Sequence, residues 1–158
     1  WFEVPEAIQR DVLHAGLDFG GGLHAVEHAM IGVLPLLAMC DRGDIGGLST
    51  PVHPDTDRPQ VFIYDGYPGG VGLARRGFEA IGELWRRTLE VVSECPCEAG
   101  CPSCIQSPNC GSNNEPLDKA AAALILRRLL ETLEDGEGEE PQGPQRGETR
   151  GPQRSSAM

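Results

Sequence analysis

The sequence predicts an α+β fold, mostly helical: about four helices, a small antiparallel hairpin and a knuckle built on four cysteines. Three observations lead there. Apolar residues recur at helical spacing in several separate segments. Two short runs of strand formers, Ile45–Thr50 and Val61–Tyr64, flank the turn-rich stretch 51–60. Five of the six cysteines fall within CPCEAGCPSCIQSPNC, Cys95 to Cys110.

The elements follow in chain order. Residues 3–15 (EVPEAIQRDVLHA) read as a short helix, with Pro5 suited to the first turn and Ile8, Val12 and Ala15 on one face. Gly20, Gly21 and Gly22 should break it. LHAVEHAMIGVLPLLAMC is apolar on nearly every side, which marks a buried helix. Pro35 should kink or shorten that helix, and Cys40 at its end reads as a small core residue. Val61–Tyr64, bounded by Arg58-Pro59 and Asp65-Gly66, is the stronger strand and should pair with Ile45–Thr50. DGYPGG then turns into the clearest helix: Val71, Ala74, Phe78, Ile81, Trp85, Leu89 and Val92 share one face. Its opposite face is charged, with Glu83 and Arg87 in the favourable i, i+4 order. The last helix is EPLDKAAAALILRRLLETLE, with Pro116 in its first turn and Asp118 near its positive end.

Two regions are expected, a folded domain over 1–133 and a tail over 134–158. The tail, EDGEGEEPQGPQRGETRGPQRSSAM, is rich in acids, glycine and proline. It buries too little apolar surface to offset its ordering entropy and reads as disordered. The net charge of −11 argues against a free-standing nucleic-acid binder, whose footprint is basic. No signal peptide opens the chain, and the apolar run around Ala29–Cys40 reads as too short for a membrane span and contains a proline. A soluble protein is expected, and the abrupt start WFEVPEAIQR suggests a piece of a longer one.

The cysteines are spaced C-x-C-x3-C-x2-C-x5-C. Disulfides fit poorly, because Cys95 and Cys97 are too close for easy bridging and dense disulfides belong to secreted domains. A thioredoxin-like C-x-x-C opens a helix after a strand, whereas this one lies in a proline-rich loop. A structural zinc explains more: four thiolates close a tetrahedral shell and leave no position for water. Gly100 permits the sharp bend before the C-x-x-C turn. The compact set is Cys95, Cys97, Cys101 and Cys104, and the rival set uses Cys110 in place of Cys95.

Other motifs carry weaker chemistry. His24-Ala-Val-Glu27-His28 has the H-x-x-E-H form of a zinc peptidase, two histidines for the metal and a glutamate as base. The simpler reading is that Glu27 and a histidine form a polar bridge from this buried helix to the rest of the core, with His24 and His28 as the local partners of a buried glutamate. The glycine-rich loop before the Arg-rich helix lacks the lysine and hydroxyl of a nucleotide-binding loop, although a helix N-terminus there suits an anion. Arg75, Arg76, Arg86 and Arg87, with Arg127 and Arg128, supply the local positive charge and are candidate phosphate contacts.

Taken in order, LHAVEHAMIG, MCDRGDIGG, YDGYPGGVGL, CPCEAGCPSCIQSPNCG and EPLDKAAA resemble the C-terminal zinc-binding domain of MrfA-type DEAD/DEAH-box superfamily 2 DNA helicases, over residues 10–133. The resemblance implies an accessory domain of an ATP-dependent, 3′-to-5′ DNA helicase active in DNA repair. It implies structural zinc on Cys95, Cys97, Cys101 and Cys104, with Cys110 as an extra thiol. The implied partners are the motor domains of the same polypeptide and single-stranded DNA, in the cytoplasm and away from membranes. No ATPase motif occurs in these residues, so the chain is not expected to be an enzyme by itself. A peptidase built on His24, Glu27 and His28, or a pure protein-interaction module, is the alternative.

Overall fold

The computed structural model describes residues 1–136. Its elements are β1 (Phe2–Glu3), α1 (Glu6–His14), α2 (Phe19–Ala38), β2 (Ile45–Thr50), β3 (Gln60–Asp65), α3 (Leu73–Glu79), α4 (Ile81–Glu94) and α5 (Lys119–Gly136). The class is the expected one, α+β and mostly helical, with five helices where about four were expected.

Helix α2 is the centre of the molecule. Leu23, Val26, Met30 and Leu34 are each at most 1% exposed. Helices α4 and α5 and strand β2 pack around it. The first helix, α1, already ends at His14, before Gly20, Gly21 and Gly22, which were expected to break it; these glycines instead form the first turn of α2, where close packing outweighs their low helix propensity. A Cβ on Gly22 would lie 2.6 Å from the Ala121 Cβ of α5, so glycine sets the distance between these two helices. With that extra turn α2 reaches 20 residues, long enough to cross a bilayer. The apolar run read from the sequence, around Ala29–Cys40, is shorter than this helix, and 72% of the helix's apolar window is buried inside the fold. Pro35 does not end the helix. It lies one turn from Met39, whose left-handed backbone (φ 58°) does.

The expected hairpin forms, with Ile45 opposite Asp65 and Thr50 opposite Gln60. A third strand was not foreseen: β1 pairs antiparallel with β3, giving the order β1-β3-β2. Two residues are too short a run to show a strand period, and only the exposed edge of β3 recruits them.

The single helix expected over 71–92 is two. The backbone at Ala80 (φ −111°, ψ 30°) leaves the helical region between α3 and α4. Backbone bonds bridge the break, Ala80 N–H to Arg76 O and Leu84 N–H to Ala80 O, so the apolar spacing hardly changes across it. The expected apolar face fails at its start, since Val71 is 62% and Phe78 61% exposed. The glycine-rich turn before α3 does hold an anion, and it is the protein's own. Asp65 accepts from the backbone N–H groups of Val71, Gly72, Leu73 and Ala74. The Ala74 bond leads the others in holding the Asp65 carboxyl below its ordinary value.

Helix α5 starts at Lys119, so Pro116 lies before it and not in its first turn. Asp118 accepts from the Ala121 N–H at 2.9 Å and caps that end. Its other oxygen accepts from the Asp18 N–H at 2.9 Å, tying the starts of α5 and α2 together. Helix α5 runs through Glu134 to Gly136, and the rest of the expected tail lies outside the described residues.

Candidate metal centre

The chain between α4 and α5 carries the cysteines. Cys95 follows the last residue of α4 in extended backbone. Gly100 has φ +113°, a left-handed conformation that a side chain would strain, and a Cβ there would strike Ile105 Cδ1 at 2.4 Å. The chain folds back, and the N–H groups of Cys104, Ile105 and Gln106 all donate to the Cys101 carbonyl. This tight turn brings Cys101 and Cys104 to Cys95 and Cys97.

The four sulfurs lie within 4.8 Å of one another. Cys95 and Cys101 are 3.5 Å apart, Cys97 and Cys104 3.5 Å, and Cys101 and Cys104 3.8 Å. A tetrahedral shell with Zn–S bonds of about 2.3 Å places its sulfurs about 3.8 Å apart. The four thiols therefore fit a zinc ion as they stand, with little rearrangement. A backbone hydrogen bond from Ser103, reinforced by Cys95, lowers the Cys101 thiol to about 7. Burial is the largest influence on Cys104 and pushes it up to about 12. At Cys97 burial opposes ionisation, but hydrogen bonds with Cys104, Cys95 and Lys119 outweigh it and hold the thiol below its ordinary value.

Lys119 is a site residue that sequence reasoning missed. Its ammonium donates to the carbonyls of Cys95 and Cys97 and reaches Cys97 Sγ at 3.4 Å. Four thiolates around a dication leave a net charge of −2, and Lys119 offsets part of it. The available signal was its position at the start of the last helix, directly after the capping Asp118.

Cys110 does not join these four. It lies beside His24, with Sγ 3.3 Å from His24 Nε2, and with His28 it forms a second cluster. Glu27 and His28 link the buried helix to the rest of the core, as the simpler reading had it, although not through each other: His28 Nδ1 bonds the Ile105 carbonyl at 2.9 Å. Glu27 takes a partner on the sheet. It accepts from Ser49 Oγ on β2 at 2.7 Å, and burial raises its carboxyl above the ordinary value despite that bond. Burial likewise lowers His28.

The arginines are engaged at the surface. Arg75 pairs with Glu79 at 2.9 Å and Arg87 with Glu83 at 2.8 Å, while Arg86 also meets Glu83. Arg76 donates to the Ala38 carbonyl at 3.2 Å. Arg128 bridges Asp11 at 3.0 Å and Glu131 at 2.8 Å.

Known proteins are similar to this chain. An uncharacterized protein of Methanocaldococcus jannaschii is 41% identical over 111 residues, which span 68% of this chain and 99% of that one. The uncharacterized ATP-dependent helicase YprA of Bacillus subtilis is 36% identical over 83 residues, 52% of this chain but 11% of the helicase. The crystal structure of the DUF1998 helicase MrfA bound to DNA superposes with a TM-score of 0.59 at 30% identity, covering 70% of this chain and 14% of that one. The chain thus spans nearly all of the archaeal relative and a small fraction of each helicase. Residues 26–105, from the core helix through all four clustered cysteines, match the MrfA Zn-binding domain. The matched residues run in this chain from the buried helix through the hairpin to the four-sulfur knuckle, and the chain belongs to this family of zinc-binding domains.

Proposed function

We propose that the chain is an accessory domain of an ATP-dependent DNA helicase, in which a structural zinc holds the end of α4 to the start of α5. The observation that carries this reading is the four-sulfur cluster in a chain of the MrfA zinc-binding family. Cys95, Cys97, Cys101 and Cys104 are the ligands in this reading, and all four positions are protein, so the metal has a structural role. The ATPase chemistry belongs to other parts of the polypeptide, in the cytoplasm, with 3′-to-5′ polarity and a role in DNA repair.

Two observations support docking on motor domains. Leu36 and Met39 at the end of α2 are 75% and 83% exposed, and Phe78 of α3 is also open to solvent. Arg76 of α3 bonds the end of α2, so these residues belong to neighbouring elements. Arg75, Arg76, Arg86 and Arg87 are the residues for guiding single-stranded DNA. The glutamate pairs of Arg75, Arg86 and Arg87 are exposed and exchange readily for phosphates, since surface ion pairs are worth about 0–1 kcal/mol.

Both parts are tested by unwinding assays on the full-length polypeptide. The paired change Cys101→Ser and Cys104→Ser should cost one zinc per chain and impair unwinding through loss of the fold. Replacing the four arginines by alanine should keep zinc and fold, while DNA affinity falls and its salt dependence flattens. Normal DNA binding by the arginine variant would remove the guiding role, and retained zinc in the serine variant would remove the ligand assignment.

A further inference from the structure

We propose that His24, His28 and Cys110 form a second metal site, distinct from the four-cysteine knuckle, which takes a zinc-type divalent cation and leaves one coordination position open to a cleft.

The geometry is that of a prepared donor set. One nitrogen from each histidine and the Cys110 sulfur lie within 4.8 Å of one another. His24 Nε2 and Cys110 Sγ are 3.3 Å apart, close to the roughly 3.5 Å that Zn–N and Zn–S bonds subtend in a tetrahedral shell. The histidines stand at i and i+4 on α2, so one helical turn brings their rings edge to face, with centroids 4.3 Å apart and planes 62° apart.

The surrounding contacts orient each ligand. His24 Nδ1–H donates to the Pro116 carbonyl and His28 Nδ1–H to the Ile105 carbonyl, each at 2.9 Å. A carbonyl only accepts, so both protons sit on Nδ1 and both Nε2 lone pairs are free for a metal. Ligating histidines are held in this way, by a hydrogen bond from the nitrogen that does not bind. Cys110 Sγ receives the Asn114 N–H at 3.3 Å, which fixes where the sulfur sits. The Asn114 side chain in turn bonds both the N–H and the C=O of Ser107, at 2.7 and 3.0 Å, and closes the loop that carries Cys110.

Three protein ligands of mixed nitrogen and sulfur suit a borderline-soft cation such as zinc, and a three-ligand shell is the form that keeps a position for an exchangeable group. The site lies in a cleft of about 690 Å³ between α2, β2 and the Cys110 loop. Glu27 and Ser49 line the same cleft, as does Arg42, whose buried Nε has no hydrogen-bond partner. The open position faces groups that suit a solvent oxygen or a small anion. The family match over 26–105 contains neither His24 nor Cys110, so the zinc of the knuckle does not account for this cluster.

The test is metal content and metal spectroscopy on the whole chain. After loading with zinc and removal of excess, the native chain should retain two zinc ions, and Cys110→Ser should retain one with an unchanged far-UV spectrum. The knuckle variant, Cys101→Ser with Cys104→Ser, should lose the other, so failure at the two sites is distinguishable. Cadmium-113 resonances of the native chain decide the matter even where a variant does not fold. Two signals, one shifted well upfield of the four-thiolate signal, support the site. In the cobalt-loaded chain, azide should change the visible spectrum, and Cys110→Ser should abolish that change. One metal per chain that survives Cys110→Ser, or a single four-thiolate cadmium signal, overturns the second site. A cobalt spectrum indifferent to azide overturns the open position.

Discussion

Lys119 shows how much of the knuckle depends on a residue that ligates nothing. Its ammonium is bonded to two backbone carbonyls on either side of Pro96 and to one sulfur. It fixes the direction of the Cys95–Cys97 segment and lowers the cost of gathering thiolates. Replacing partners of this kind weakens metal binding by about 10–100-fold. Lys119→Met, which keeps the stem and removes the charge, should therefore lose zinc to a competing chelator at a concentration about 10–100 times lower than the native chain does. Equal competition curves would show that the ammonium contributes nothing to affinity. Cys110 makes the complementary point. Five clustered thiols for four places was legible in the sequence, but the destination of the spare one was not. Its neighbour His24 is 86 positions away, and no local pattern reports that distance.

At the level of elements, the expectations failed where packing competed with propensity. Glycine in a helix interior costs about 1 kcal/mol relative to alanine, so three in a row read as a break. The fold instead uses them where α2 meets the first turn of α5. Gly22→Ala separates the two arguments by sign. Propensity alone predicts a gain of about 1 kcal/mol. The 2.6 Å approach to Ala121 predicts a loss of about 1–3 kcal/mol from overpacking. We expect the loss, read as a lower denaturation midpoint in urea with an unchanged slope. The α3–α4 boundary failed differently. One residue, Ala80, changes backbone conformation without changing the spacing of apolar side chains, and spacing was the signal in use. Asp65 was legible only as part of a turn, because its four N–H partners sit six to nine positions further on.

The whole molecule combines a sizeable core with a metal staple. The core runs from Val4 to Leu129 and includes Cys104 of the knuckle, so the two are continuous. Zinc joins segments that the core already brings near each other, and its removal should loosen a region before it unfolds the chain. Chelation of the native protein should lower its melting temperature and raise hydrogen exchange mainly over residues 95–118 and the first turn of α5. Amides of α2 should stay protected until global unfolding. Loss of protection in α2 at the same chelator concentration would show instead that folding and metal binding are one step.

By itself the sequence determined the class of the fold, the all-round apolar core helix, the hairpin and the compact set of four cysteines. Each is written within a short window, as a period, a strand-forming run or a ligand spacing, and local chemistry suffices to read it. The tertiary structure alone decided the third strand, the helical use of Gly20–Gly22, the placement of Lys119 beside Cys97 and the meeting of Cys110 with His24 and His28. These depend on which surfaces come together when α5 packs against α2. Side chains far apart in the chain become neighbours there, and only the folded packing sets the distances between them.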